Sequence, residues 1–343
     1  MNKLKTVGIS ALAGTLASFS AAQAGDVSIS GAAILSWTQL DNTEVTGNPF
    51  GMNKGFTFSY SGELDNGYTW DGFVAYADGT AGLQALTSAA TTINMGGLGT
   101  LGVNQGAGSA ISAIDNVMPT AWEEADDGMD TGVLDVGSNS SGTVLIYTTP
   151  TVGGITLAAS YNPTATASGT SADGATSGNS TGPGASAKDV TIKIEQMGFT
   201  IGAGVAEIDQ SQAGAHTAGG NVVDDWFEGT AYIKYAYGPV TLGYQKSGES
   251  ESTVAGTYDH ITNRFYGATL QVNENFSIGY QELKSEAAFN SEASSVEATF
   301  KGLSAAYNMG ALGLKLKVNE GQNVGYTAST DDKSTEISMS LAF

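Results

Sequence analysis

The chain has 343 residues, no cysteine and a formal charge of −21, from 13 basic and 34 acidic side chains. Without cysteine there is neither a disulfide framework nor a Cys-ligated zinc or iron–sulfur site. So acidic a balance also lacks the cationic stripe that a nucleic-acid partner requires. The 47 glycines, 14% charged and 41% hydrophobic residues set it apart from acidic disordered chains and suit a structure with one apolar and one polar face.

Residues 1–24 read as a secretory signal. Lys3 and Lys5 form the positive start, Val7 to Phe19 the apolar core, and Ala22-Gln23-Ala24 the small-residue cleavage site. The apolar run is too short to span a bilayer, which takes ~20 residues. Cleavage after Ala24 is expected to leave residues 25–343 as one exported domain.

From Asp26 onward, apolar residues recur with period two. Val190, Ile192 and Ile194 oppose Thr191, Lys193 and Glu195; Leu312, Leu314, Leu316 and Val318 oppose Gly313, Lys315 and Lys317; Ile337, Met339, Leu341 and Phe343 close the chain in the same way. Strict alternation means strands with one apolar and one wet face. About sixteen such segments occur, beginning near Val27, Gly55, Tyr68, Thr91, Thr100, Thr143, Ile155, Val190, Phe199, Trp226, Val240, Ile261, Phe276, Val296, Leu312 and Thr335. Short connections (62–67, 96–99, 150–154, 196–198, 237–239, 273–275, 308–311) alternate with long ones. The long ones include 106–142 and the Gly/Ser/Thr/Ala-rich tract 162–189, read as a surface loop. This is the layout of an outer-membrane β-barrel.

Charge placement separates that barrel from a soluble sandwich. Asp71, Lys193, Glu195, Glu228, Lys234, Glu297, Lys301, Lys315, Lys317 and Glu336 fall in the polar phase of their segments. Only Glu207, Lys246, Arg264 and Glu282 fall in the apolar phase, all toward long loops. Lysine at the lipid midplane would cost ~2–4 kcal/mol. Tyr60, Tyr68, Tyr147, Tyr161, Tyr244, Tyr280 and Tyr307 near strand ends suit interfacial girdles. The expected fold is all-β: a transmembrane antiparallel barrel of about sixteen strands.

Three stretches carry a resemblance: 142–162 (GTVLIYTTPTVGGITLAASYN), 97–105 (GLGTLGVNQ), and the terminal strand ending in Phe343. Together, and across essentially the whole mature chain, they resemble the Gram-negative general-diffusion porins. The resemblance implies a 16-stranded barrel, usually a homotrimer, whose third long loop (here 106–142) folds inward to narrow a water-filled channel. It also implies that Phe343, Leu341 and Met339 are read by the outer-membrane assembly machinery. Lipid, lipopolysaccharide, small polar solutes and cations would be the other partners. One departure stands out. The family's arginine cluster on the wall is missing: Asn104-Gln105 and Ile146 stand where arginines are common, and Arg264 is the sole arginine.

Loop 106–142 carries Asp115, Glu123, Glu124, Asp126, Asp127, Asp130 and Asp135 and no Lys or Arg. These carboxylates are expected to line the constriction and favour cations, with Lys193, Lys234, Lys301, Lys315 and Lys317 on the pore wall; the bland alternative is a solvated acidic loop. Asp126, Asp127 and Asp130 have the oxygen-rich character of a weak Ca²⁺ site, although their spacing is not that of an EF-hand. Gly97, Gly99 and Gly102 match a dinucleotide fingerprint formally, but no helix follows them, and a tight turn is the better reading. His216 and His260 are expected in surface loops; a rim hydrolase would need one of them held by a carboxylate, and adjacent Asp259 and His260 should point apart on an extended chain. A passive channel with no catalytic step and no cofactor is the expectation. A substrate-selective channel or a surface receptor are the competing readings.

Overall fold

The computed structural model describes residues 25–41, 48–78, 84–137, 143–163, 186–208, 225–250, 258–289 and 295–343. The signal segment, His216 and most of the tract 162–189 lie outside them. Sixteen strands follow one another: β1 (Asp26–Asp41), β2 (Phe50–Glu63), β3 (Thr69–Asp78), β4 (Gln84–Asn94), β5 (Thr100–Gln105), β6 (Thr143–Thr148), β7 (Ile155–Asn162) and β8 (Ala187–Gln196), then β9 (Phe199–Ile208), β10 (Trp226–Tyr237), β11 (Val240–Ser250), β12 (Tyr258–Gln271), β13 (Phe276–Phe289), β14 (Ser295–Met309), β15 (Leu312–Gln322) and β16 (Asp332–Ala342). Each pairs antiparallel with its chain neighbours, and β1 pairs with β16 to close the barrel. Closure is what lipid demands, since no open edge can find hydrogen-bond partners in hydrocarbon.

All sixteen expected segments are strands. Several start earlier than the alternation suggests: β2 at Phe50 instead of Gly55, β4 at Gln84 instead of Thr91, β16 at Asp332 instead of Thr335. These extra residues lie on the long-loop side, where exposed Phe50, Met52 and Leu86 alternate with small or polar residues over too short a run to mark a strand. On the opposite rim the turns are tight. Met197 (φ 51°) and Gly198 (φ 82°) form a two-residue hairpin between β8 and β9 with both central φ positive, the type I′ geometry that matches strand twist.

The chain's end is pinned to its beginning. The Phe343 N–H donates to the Gly31 carbonyl at 2.9 Å and its carbonyl accepts from the Gly31 N–H at 3.1 Å. The Phe343 ring covers Gly31, where a β-carbon would stand 2.6 Å from the ring. Leu341 and Met339 lie opposite Ala33 and Leu35 of β1. The outer surface carries the expected exposed apolar and aromatic residues, among them Val190, Tyr147, Tyr161, Tyr244, Tyr280 and Tyr307.

Two charges expected to face the lumen face outward instead. In β14 the inward residues are Ala298, Phe300, Gly302 and Ser304; Lys301 and Glu297 alternate with them on the outside. Lys301 sits on a rung between Glu282 of β13 and Glu320 of β15, and Glu297 accepts from Arg264. The cause is an apolar cluster inside the barrel, in which Ile261, Phe265, Leu283, Ala298 and Phe300 pack with Met118, Ala125, Val324 and Tyr326. Here the apolar phase marks a filled interior and the charged phase the outside, the reverse of the expected assignment.

Asp259 and His260 also depart from expectation. A register irregularity between Tyr258 and His260 in the β12–β13 pair lets the two side chains converge, with His260 Nδ1 2.9 Å from Asp259 Oδ2. A bulge breaks the alternation that otherwise separates neighbours. His260 is therefore in a strand, not a loop, and both side chains are exposed.

Because the chain has no native cysteine, facing is testable by single substitutions. Lys301→Cys modified with a bulky thiol reagent should leave single-channel conductance unchanged, whereas Lys315→Cys, on the inner face, should lose a substantial fraction of it. Equal block at both positions would contradict the phase assigned to β14.

Candidate functional site

The segment after β5 does not project away from the barrel. It runs along the inner wall and back. Its start is held by Asn104, whose Nδ2 donates to the Gly108 carbonyl at 3.0 Å, and by Ser160 of β7, whose Oγ accepts from the Ala110 N–H at 3.0 Å. The outward path crosses β11 to β15. Gln245 accepts from the Val117 N–H at 3.0 Å and donates to the carbonyls of Ile114 and Asp115 at 2.9 and 2.6 Å. Gln281 accepts from the Ala125 N–H and donates to the Met118 carbonyl, both at 3.1 Å. Asn319 donates to the carbonyls of Glu124 and Asp127 at 3.0 and 2.9 Å. At the far side the Asp130 N–H meets Asp332 of β16 at 2.9 Å.

The return path lies on β12 to β10. Asn263 donates to the Leu134 carbonyl at 2.8 Å, the Tyr326 hydroxyl accepts from the Leu134 N–H at 3.1 Å, Ser247 donates to Asp135 at 3.0 Å, and Glu228 accepts from the Gly137 N–H at 2.6 Å. Backbone groups without secondary-structure partners must be satisfied somewhere when buried, and here wall amides, hydroxyls and carboxylates satisfy them.

The wall makes room as well as bonds. Gly243, Gly267, Gln281, Gly302 and Asn319 form one continuous inward rung across β11 to β15. A β-carbon at Gly267 would stand 2.7 Å from the Pro119 carbonyl oxygen, and one at Gly302 would stand 2.9 Å from the Ala125 Cα. Glycines admit the loop backbone, and the amides between them bind it.

The seven loop carboxylates divide into two groups. Glu123 and Asp127 are exposed to the lumen and both bind Lys317, whose Nζ also lies 3.3 Å from Glu336 and 5.1 Å from the Trp122 ring centroid. Lys317 is only 1% exposed, a buried ammonium compensated by three carboxylates and an aromatic face. Asp115, Glu124, Asp126 and Asp135 are turned into the loop–wall contact. Burial raises all four above the usual carboxylate range: Glu124 to about 7, with Asp126 and Asp115 adding repulsion, and Asp135 well up despite bonds from the Val136 N–H and Ser247. Asp130 is exposed near Asp332.

The three acids expected to make a Ca²⁺ site have separate tasks. Asp126 Oδ2 accepts from the Val133 N–H at 2.8 Å, Asp127 binds Lys317, and Asp130 contributes its N–H to Asp332. Among the described residues, the carboxylates within 4.8 Å of one another are Glu123, Asp127 and Glu336, and the Lys317 ammonium sits where they meet. Of the other wall lysines, Lys193 bonds Glu195 at 3.2 Å, Lys234 lies 5.6 Å over the Tyr232 ring and Lys315 lies 5.7 Å over Trp122. Lys301 belongs to the outer face.

The sequence profile of the Gram-negative porins matches residues 8–342. The chain belongs to the Gram-negative porin family. Its solved relatives in fold include OmpF of Salmonella typhi in complex with daunomycin, 16% identical over 93% of this chain and 98% of that one, with a TM-score of 0.67. OmpT of Vibrio cholerae in its trimer form is 10% identical over 94% and 100%, with a TM-score of 0.66. A mutant Rh. blastica porin is 15% identical over 93% and 100%, with a TM-score of 0.58. At such identities these structures speak for the shared barrel alone, and no curated protein sequence matches the porin described here. Family and fold together make it an outer-membrane diffusion channel.

The glycine rung generates a direct test. Gly267→Leu should overpack the Pro119 contact at a cost of about 1–3 kcal/mol to loop docking, raising single-channel conductance and current noise while the barrel still migrates as a folded species on gels. Unchanged conductance in a folded variant would place the loop clear of the ion path.

Proposed function

We propose that this porin passes small hydrophilic solutes and ions by passive diffusion through a constriction formed by loop 106–142, with a modest preference for cations. The observation that carries the reading is the loop's course along the inner wall from β10 to β16, which narrows a barrel too wide for side chains to fill. Neither step of passage needs a catalytic group: size is limited by the loop, and charge is filtered by what lines it.

The cation preference rests on the lumen's balance. Glu123, Asp127, Asp130, Asp71, Glu195 and Glu336 face it against Lys193, Lys234, Lys315 and Lys317. Focusing of field lines between low-dielectric walls raises counter-ion concentration along such a path. The preference is modest because Lys317 neutralises part of the exposed set, and because buried Glu124 holds its proton to near neutrality. We assign the remaining roles in the same spirit: cleavage after Ala24, recognition of Phe343, Leu341 and Met339 during assembly, and a homotrimer as the working unit.

Across a tenfold KCl gradient in a planar bilayer, the reversal potential should have the cation-selective sign at pH 8. It should shrink as pH falls through about 7, because Glu124, buried behind the lumen surface, then gains a proton and the constriction loop loses negative charge. Glu124→Gln should flatten that step. An anion-selective potential at pH 8 would refute the assigned filter and leave the channel intact.

A further inference from the structure

The last long connection, 323–331, also folds into the barrel. A β-carbon at Gly321, near the end of β15, would stand 2.7 Å from Val324 Cγ2, so glycine lets the chain turn back onto its own inner wall. Val324 and Tyr326 are then buried against Phe265, Leu283 and Phe300. The Tyr258 ring meets that of Tyr326 edge-on at 5.3 Å. The turn is strained. Asn323 (φ 52°), Gly325 (φ 64°), Tyr326 (φ 55°) and Ser329 (φ 65°) all lie in the left-handed region, which a bulky residue such as tyrosine occupies only where its surroundings hold it. Asn323 helps to hold it: its Nδ2 donates to the Glu297 carbonyl and its Oδ1 accepts from the Ser329 N–H, both at 2.9 Å.

What this strained turn places is the Tyr326 hydroxyl. It accepts from the Leu134 N–H of loop 106–142 at 3.1 Å and lies 2.7 Å from Ser285 Oγ of β13. Ser285 in turn donates to Asn263 Oδ1, and Asn263 Nδ2 donates back to the Leu134 carbonyl at 2.8 Å. The serine proton is thereby used, so the tyrosine donates to the serine. Four hydrogen bonds thus close a ring through both backbone groups of Leu134, each polarising the next. Asn263 and Ser285 belong to the wall, Leu134 to the loop and Tyr326 to the last connection. Phenylalanine at 326 would fill the same space and leave the ring open.

We propose that 323–331 is a second constriction element of the pore, and that Tyr326 is the residue through which it positions the return limb of loop 106–142. The proposal rests on the reading that this loop narrows the pore. Wall side chains hold the loop's outward path, whereas on the return path the Leu134 N–H is given to Tyr326. Loss of that clamp would free the return limb while the outward path stays bound, so the pore would widen intermittently and not permanently. The two inward segments meet again at Gly325, where an added β-carbon would lie 3.8 Å from Thr131 Cβ. That separation is the usual one across a disulfide, and the chain has no cysteine of its own.

Single-channel recording of the full-length porin in planar bilayers tests the clamp, with Tyr326→Phe and the pair Thr131→Cys/Gly325→Cys. Tyr326→Phe should still migrate as a folded barrel on gels and spend about tenfold more time in a wider, flickering sub-state, as expected when a buried N–H loses its acceptor. Adding the cysteine pair to Tyr326→Phe should restore the steady native current on oxidation and return the flicker under reductant. A folding defect would not show that reversible rescue. Failure of the disulfide to form in folded double-cysteine protein would overturn the clamp. So would a Tyr326→Phe current as steady as the native one while Gly267→Leu raises conductance; in both cases the loop 106–142 constriction would stand. Native currents in Tyr326→Phe and Gly267→Leu alike would overturn the constriction itself and the clamp with it.

Discussion

A loop without regular secondary structure can lie inside a barrel only if the wall supplies its missing hydrogen bonds. That constraint organises the structure from β10 to β16. Gln245, Gln281, Asn319 and Asn263 each bind loop backbone from inward positions, and glycines between them let that backbone approach. Removing one such amide would leave a buried donor or acceptor unmatched, at a cost of about 1–3 kcal/mol. The amides share one loop, so their effects should couple and not add. The narrowing of the lumen is thus a property of wall and loop together.

The same constraint explains what the sequence revealed and what it concealed. Strand number and order were legible, because alternation under a lipid-facing band is strict and turns such as Met197-Gly198 are short. The course of the loop was not legible from its own residues; only the family resemblance suggested it. The phase of β14 was misread because two surfaces are apolar there, the membrane side lower down and the loop-filled interior higher up, so Phe300 and Leu303 both look like lipid-facing residues. One overlooked signal lay in plain sight. Once register is known, Gly243, Gly267, Gln281, Gly302 and Asn319 fall on a single rung, and small residues alternating with amides mark where a backbone docks.

Lys317 shows how little a count of charges says about a filter. The loop contains seven carboxylates and no base, which by number alone describes a strongly anionic constriction. Two of them, with Glu336, enclose Lys317, and four are turned into the contact with the wall, where burial favours their protonated forms. Each acid in the contact is bound to loop or wall groups; Asp126 caps the Val133 N–H, and Asp135 bonds both the Val136 N–H and Ser247. Their first task is to shape the loop.

The placement of cations follows from the same division of labour. The inner wall carries lysines and no arginine, and the chain's single arginine stands on the outer surface. There Arg264 stands on one rung with Lys246 and Lys284, at the level where strands leave the apolar band and run on toward the long loops. Charge at that height is costly to expose to acyl chains, and ion pairs offset that cost. On the inner wall Lys317, Glu228 and Asp332 bind the loop, while on the outer wall Glu297 and Glu282 pair with Arg264 and Lys284.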